Sequence, residues 1–172
     1  AAGRLRADLN GDGNVTILPD CVDVETFRPG CVSPERRAEW LAELGIPAER
    51  EIVVYLCLLA PYQGTDLLLT AEADVIRRRP DTHFLVMGFP AVEQYRAQAH
   101  GLGLASHVTF TGAVPYQDAP AHLDLGSIAV APKLSATEGS GKILNYMAMG
   151  LPVVAFDTPV SREYLQALGV YA

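Results

Sequence analysis

The stretch "SATEGSGKILNYMAMGLPVVAFD", residues 135–157, decides the reading of the fold. It opens with the acid Glu138 and a glycine-rich turn, runs on as a short amphipathic helix, and ends in an apolar strand bounded by Gly150 and Pro152. The segment before it, "SIAVAP" (127–132), is itself of strand length. Gly139 and Gly141 let the backbone approach a ligand closely, and the helix they open points free N–H groups and its positive dipole end at that ligand. Such a turn suits a phosphate or polarised hydroxyls. The Glu138 carboxylate suits a sugar diol, from which it accepts two hydrogen bonds, and Lys142 is placed to face a phosphate. An ordinary strand–helix turn with a solvated Lys and Glu explains the same letters, and the chemistry alone leaves both readings open. A nucleotide P-loop is excluded twice: Ala136 stands where its first Gly belongs, and Ile143 where Ser or Thr would hold magnesium.

Outward from this unit the chain alternates. Strands are expected at "EIVVYLCLL" (51–59), "HFLVMG" (83–88), "HVTFTG" (107–112), "SIAVAP", "LPVVAFD" (151–157) and "VYA" (170–172). Helices are expected at 34–44, where Ser33 caps and Pro34 opens the first turn, and at 65–79, with apolar spacing at Leu68, Ala71 and Val75. Further helices are expected at 91–103, 116–125, 141–150 and 161–169. Apolar strands separated by helices predict a parallel sheet with helices on both faces, an α/β fold of the Rossmann-like type. Ligands of such sheets bind at the carboxyl ends of the strands, which marks the loops after Leu59, Gly88, Gly112, Pro132 and Asp157. Ahead of the sheet, "VTIL" (15–18) reads as a short strand, and "PDCVDVETFRPGCVSP" as a connection between larger units.

Hydrophobic residues make up 49% and charged residues 19% of the 172, which excludes wholesale disorder. The net charge of −7 argues against a nucleic-acid footprint or a basic membrane-docking face. No apolar run reaches the roughly 18–20 residues of a membrane span, and "AAGRLRADLNGDG" lacks the apolar core of a signal peptide. Cys21, Cys31 and Cys57, an odd and unpatterned set, suggest reduced thiols and the cytoplasm; Cys57 reads as a small core residue.

The same residues carry a resemblance. "SIAVAPKLSAT" followed by "EGSGKILNYMAMGLPVVAFD" resembles the C-terminal signature of group 1 retaining glycosyltransferases of the GT-B fold. "VTILPDCVDVETFRP" is similar to the segment joining that family's two domains, "LCLLAPYQGTDLLL" to its first C-terminal strand and loop, and "HVTFTGAVP" to the strand before its base pocket. The resemblance implies that residues 1–20 end an N-terminal domain, 21–49 form the linker and first helix, and 50–172 form an incomplete nucleotide-sugar-binding domain. It implies a nucleotide-sugar donor held by Gly139, Ser140, Gly141, Lys142 and Asn145, with the base near Ala113 and Val114 and Gln63 lining the phosphate position. Glu138 is implied to contact the transferred sugar. A hydroxyl acceptor would be taken by the other domain, and no metal or other cofactor is implied.

The match thins at the diphosphate. The family's Arg and Lys in the loop after the first C-terminal strand correspond to Leu58 and Gln63, and its second motif acid corresponds to Asn145. Asp20-Cys21 stands where the family has Asn-Gly. One expectation is a diverged transferase in which Lys142 or other cations replace the missing pair; the other is a degenerate, non-catalytic homologue that kept the fold. A third is a nucleotide-sugar epimerase on the same architecture. In all of them residues 1–172 alone would not turn over.

Two further patterns are weaker. "DLNGDGNVT" (8–16) imitates the start of a calcium loop, but Pro19 takes the place of its bidentate acid, and a polar turn explains the letters. His83, His100, His107 and His122 have no ligand spacing and read as structural, and Arg77–Arg79 as a solvated helix end.

Overall fold

The structure, a computed structural model, describes residue 16 and residues 18–135 and 138–172. The expected strand 15–18 and the calcium-like turn fall outside these, apart from Thr16 and Leu18, neither of which is in a strand. The chain then runs α1 (Pro34–Glu43), β1 (Glu51–Leu58), α2 (Thr65–Arg78), β2 (Thr82–Phe89), α3 (Val92–Gly101) and β3 (Val108–Gly112). It continues through α4 (Ala119–Leu123), β4 (Ile128–Ala131), α5 (Gly141–Ala148), β5 (Val153–Ala155), α6 (Pro159–Leu165) and β6 (Val170–Tyr171). Ser33 Oγ accepts from Arg36 N and Pro34 opens α1, as the sequence predicts. The expected helix at 116–125 is split: a 3-10 turn, Tyr116–Asp118, hands over to α4, which carries Pro120 in its first turn.

All six strands are parallel in the order β3-β2-β1-β4-β5-β6. The pleat divides the core in two. Ile52, Val54, Leu85, Met87, Ala129 and Val153 face one side, with Phe27, Leu41, Ile143 and Tyr146 packed onto them. Val53, Tyr55, Phe84, Val86 and Phe110 face the other side, under Leu68, Leu69 and Tyr95. Helices therefore cover both faces, which is the predicted α/β class. Strand order reverses direction between β1 and β4, so the loops leaving these neighbours diverge and open a crevice at their carboxyl ends.

The expected helix over 65–79 is present as α2, and the structure shows which of its residues are buried. Its buried residues are Thr65, Leu68, Leu69 and Glu72, whereas Ala71 and Val75 are exposed. Leu67, Ala71 and Val75 instead border an open apolar groove of about 360 Å³ shared with Val53, Ile128, Val130 and Val154. A periodic apolar pattern marks a helix correctly, but which arc is buried depends on what the fold lays against it.

Candidate functional site

The crevice between β1 and β4 is built by two loops. After β1 the chain makes a 3-10 turn, Pro61–Gln63, and reverses at Gly64, whose φ is +83°. A Cβ there would lie 1.9 Å from the Pro132 carbonyl oxygen, so only glycine lets this loop press against the end of β4. Helix α5 is pinned to β1 by Tyr146, fully buried, whose hydroxyl accepts from Leu56 N at 2.8 Å. These two contacts bring the residues after β1 beside the first turn of α5.

There Lys142 Nζ donates to Gln63 Oε1 at 3.2 Å and to Cys57 Sγ, while Cys57 Sγ donates to Gln63 Oε1 at 2.9 Å. The ammonium lies 5.2 Å from the centre of the Tyr55 ring. Removal from water pulls the Lys142 pKa down, and the neighbouring Cys57 opposes that shift. Lys142 is thus no solvated turn residue. It stands at the position where the two uncharged residues Leu58 and Gln63 leave the first loop without a cation. Leu58 is exposed at the strand end. Cys57 is half-buried, not a plain core residue, and its thiol belongs to this polar cluster; residue type alone gives no sign of that contact, which spans 85 positions.

A second cation was not foreseen. Lys133, directly after the strand-ending Pro132, is only 6% exposed. Its Nζ donates to Gly139 O at 2.7 Å and pairs with Glu138 Oε2 at 2.9 Å. Glu138 itself is largely exposed, and its backbone N–H donates to Ser135 Oγ. The glycine-rich turn is therefore held from beneath by a buried ammonium. Ser140 is buried, and its hydroxyl has no hydrogen-bond partner among the described residues. Nothing in the sequence around Lys133 signals that burial.

Beside the first turn of α5 lies a cleft of about 460 Å³ lined by Pro19, Asp20, Cys21, Tyr116, Gly141 and Asn145. Of the residues expected to hold the ligand, Gly141 and Asn145 border it. Glu138 does not, and neither do Ala113 or Val114; Ala113 is exposed and Val114 packs on the core. Tyr116, two residues on, lines the cleft. The Asp20 carboxylate packs on the turn, with Oδ2 2.8 Å from where a Cβ on Gly139 would sit.

The histidines behave as structural groups. His83 is buried between Arg50 and Thr109, and burial, with Arg50 and His107 nearby, holds its pKa down near 4. His122 packs against Trp40, the two rings tilted by 45° with centres 4.7 Å apart. Arg77 and Arg79 pair with Asp74, Asp81 and Glu51 at the surface.

The sequence profile of the glycosyl transferases group 1 matches residues 50–169. The chain belongs to the group 1 glycosyltransferases. This group 1 chain is 38% identical over 95% of its length to the GDP-mannose-dependent α-(1-6)-phosphatidylinositol monomannoside mannosyltransferase of Mycobacterium tuberculosis, and spans 43% of that protein. It is 32% identical over 82% of its length to a D-inositol 3-phosphate glycosyltransferase of Segniliparus rotundus, spanning 31% of it. The chain thus covers less than half of the curated relatives it matches. Among solved structures, an Anabaena protein in complex with UDP and glucose superposes with a TM-score of 0.68 at 22% identity, over 83% of this chain and 38% of that one. Sucrose-phosphate synthase from Thermosynechococcus elongatus gives 0.68 at 23% identity, over 97% and 41%. The fold is accordingly that of part of a GT-B glycosyltransferase.

Proposed function

We propose that this group 1 chain supplies the nucleotide-sugar half of a glycosyltransferase that moves a hexosyl group to a hydroxyl acceptor with retention. The observation that carries the reading is the pair of ammonium groups, Lys142 and Lys133, gathered with Glu138 around the first turn of α5 at the strand-order reversal. Preorganised cations stabilise charge developing on a leaving diphosphate, and two lysines there offset the absence of charge at Leu58 and Gln63. Glu138, steered by Lys133, orients the transferred sugar, while Gly139, Ser140, Gly141 and Asn145 contact the donor. In this reading residues 1–20 end the acceptor-binding domain, 21–49 join the domains, and 50–172 bind the donor. The likeness to GDP-mannose-dependent enzymes makes GDP-mannose the first donor to test.

The reading requires no metal: the lysines neutralise the diphosphate. It places the protein in the cytoplasm, a reading supported by an odd, unpatterned set of three cysteines. Among the described residues no helix is long and apolar enough to cross a membrane. Residues 1–172 by themselves are expected to bind donor without turning over.

The test is transfer of labelled sugar from GDP-mannose and UDP-glucose by the full-length protein, with the product's anomeric configuration read by NMR. The expected outcome is a retained configuration, no loss of rate in EDTA, and a fall of about 10²-fold or more in Glu138→Ala. Wild-type transfer rates in Glu138→Ala would end the assignment of that residue. A second reading, a non-catalytic homologue, is favoured by one observation: the Lys142 ammonium is engaged with Cys57 and Gln63. It predicts that the full-length protein transfers nothing from any nucleotide sugar.

A further inference from the structure

The cleft beside α5 holds a carboxylate that the reading above does not use. Asp20 comes from the segment ahead of α1, yet Tyr164 of α6 donates to its Oδ2 at 2.5 Å across 144 positions. Tyr164 is half-buried and packed on the core, so the carboxylate is fixed to the sheet domain. Among the described residues, Asp20 has no ion pair and its Oδ1 accepts no hydrogen bond. A carboxylate only accepts. Set against the first turn of α5, where an anion is favoured, it would repel a phosphate placed directly on it. Its partner must therefore offer hydroxyl donors, and a vicinal diol offers two.

The rest of the cleft says which diol. Tyr116 is 59% exposed and lines it, its ring set at 58° and 5.1 Å against the fully buried Phe27. An open aromatic face suits a planar base. Asn145 adds an amide that both donates and accepts. Glu138, the acid assigned to the transferred sugar, lies outside this cleft. A volume of about 460 Å³ matches a small-molecule site.

We propose that Asp20, held by Tyr164, is the carboxylate that binds the ribose 2′,3′-diol of the donor nucleotide, with Asn145 beside it and Tyr116 under the base. This rests on the donor-site reading. It makes the segment ahead of α1 part of the nucleotide site and gives Tyr164 a positioning role.

The test compares GDP, UDP and ADP with their 2′-deoxy forms, by calorimetry on the full-length protein. Loss of a charge-assisted hydrogen bond is worth about tenfold or more, so wild type is expected to prefer the ribose form of its nucleotide by at least about tenfold. Asp20→Ala should bring that ratio close to one by weakening the ribose form more than the 2′-deoxy form, which has only a 3′-hydroxyl contact to lose, with Asp20→Asn in between. Tyr164→Phe should lower the ratio less, since the carboxylate stays but is less well fixed. Lys142→Met should weaken both forms equally and keep the ratio. Thermal melting confirms that each variant is folded. A wild-type ratio in Asp20→Ala, or no ribose preference in wild type, would overturn the Asp20 assignment while leaving the donor site standing. A folded full-length protein that binds none of the nucleotides would overturn both.

Discussion

At the scale of single residues, burial and function pull in opposite directions. Lys142 spends part of its hydration on contacts with Cys57, Gln63 and the Tyr55 ring. A half-buried ammonium, partly stripped of water, is a weak contributor to stability, so Lys142→Met should leave the melting temperature equal or higher while weakening nucleoside-diphosphate binding about tenfold or more. Parallel melting and calorimetry check both signs, and a variant that loses stability and keeps affinity would assign Lys142 to the core. Glu72 behaves differently. It is 0% exposed, neither carboxylate oxygen has a partner among the described residues, and burial pushes its pKa up to about 8. The folded state therefore prefers the neutral acid. The associated stability is fully present below the ordinary value of 4.5 and is lost as pH rises through about 8. Glu72→Leu should stabilise the chain by on the order of 2 kcal/mol at pH 8, with a smaller gain at pH 5, measured by urea unfolding at both pH values. Glu138, Lys142, Asn145 and the glycines were legible as a site because they lie within eight positions of one another. Asp20, Tyr164, Lys133 and Cys57 were not, because their contacts to that site depend on the folded path of the chain.

At the scale of elements, the capped starts and the continuous apolar strands were readable, since they are set by local chemistry. Ser33-Pro34 begins α1 as expected, whereas the Thr158-Pro159 start of α6 was not read: it lies two residues ahead of the expected Ser161, with Thr158 Oγ accepting from Ser161 N. The spacing marked α2 as a helix but not its buried arc: Leu68, Leu69 and Glu72 are buried while Ala71 and Val75 border an open groove. How α5 is held was not readable either. Tyr146 ties it to β1 through Leu56 N, and Tyr146→Phe strips that N–H of its acceptor in the interior. The expected cost is about 1–3 kcal/mol, seen in denaturant unfolding, accompanied by weaker nucleotide binding because the first turn of α5 loses its support. Gly64→Ala is a sharper perturbation at the same place: its Cβ would meet the Pro132 carbonyl, and the β1 loop must withdraw from Lys142.

At the scale of the whole molecule, the parallel order β3-β2-β1-β4-β5-β6 explains why residues from opposite ends of the chain converge. β1 and β4 are sheet neighbours although their paired residues, Val53 and Ile128, lie 75 positions apart, and the segments leaving them carry Gln63, Lys133, Glu138 and Lys142 into one crevice. The central claim is that this crevice, with its uncharged first loop and its lysines on the second, still binds a nucleoside diphosphate. Calorimetric titration of the 172-residue chain with GDP, UDP, ADP and GDP-mannose, wild type beside Gln63→Lys and Lys142→Met, tests it most directly. The account predicts saturable binding of one nucleotide by wild type, about tenfold or more weaker in Lys142→Met and stronger in Gln63→Lys. Binding unaffected by Lys142→Met, or binding that appears only when Gln63→Lys restores a cation to the first loop, would contradict it.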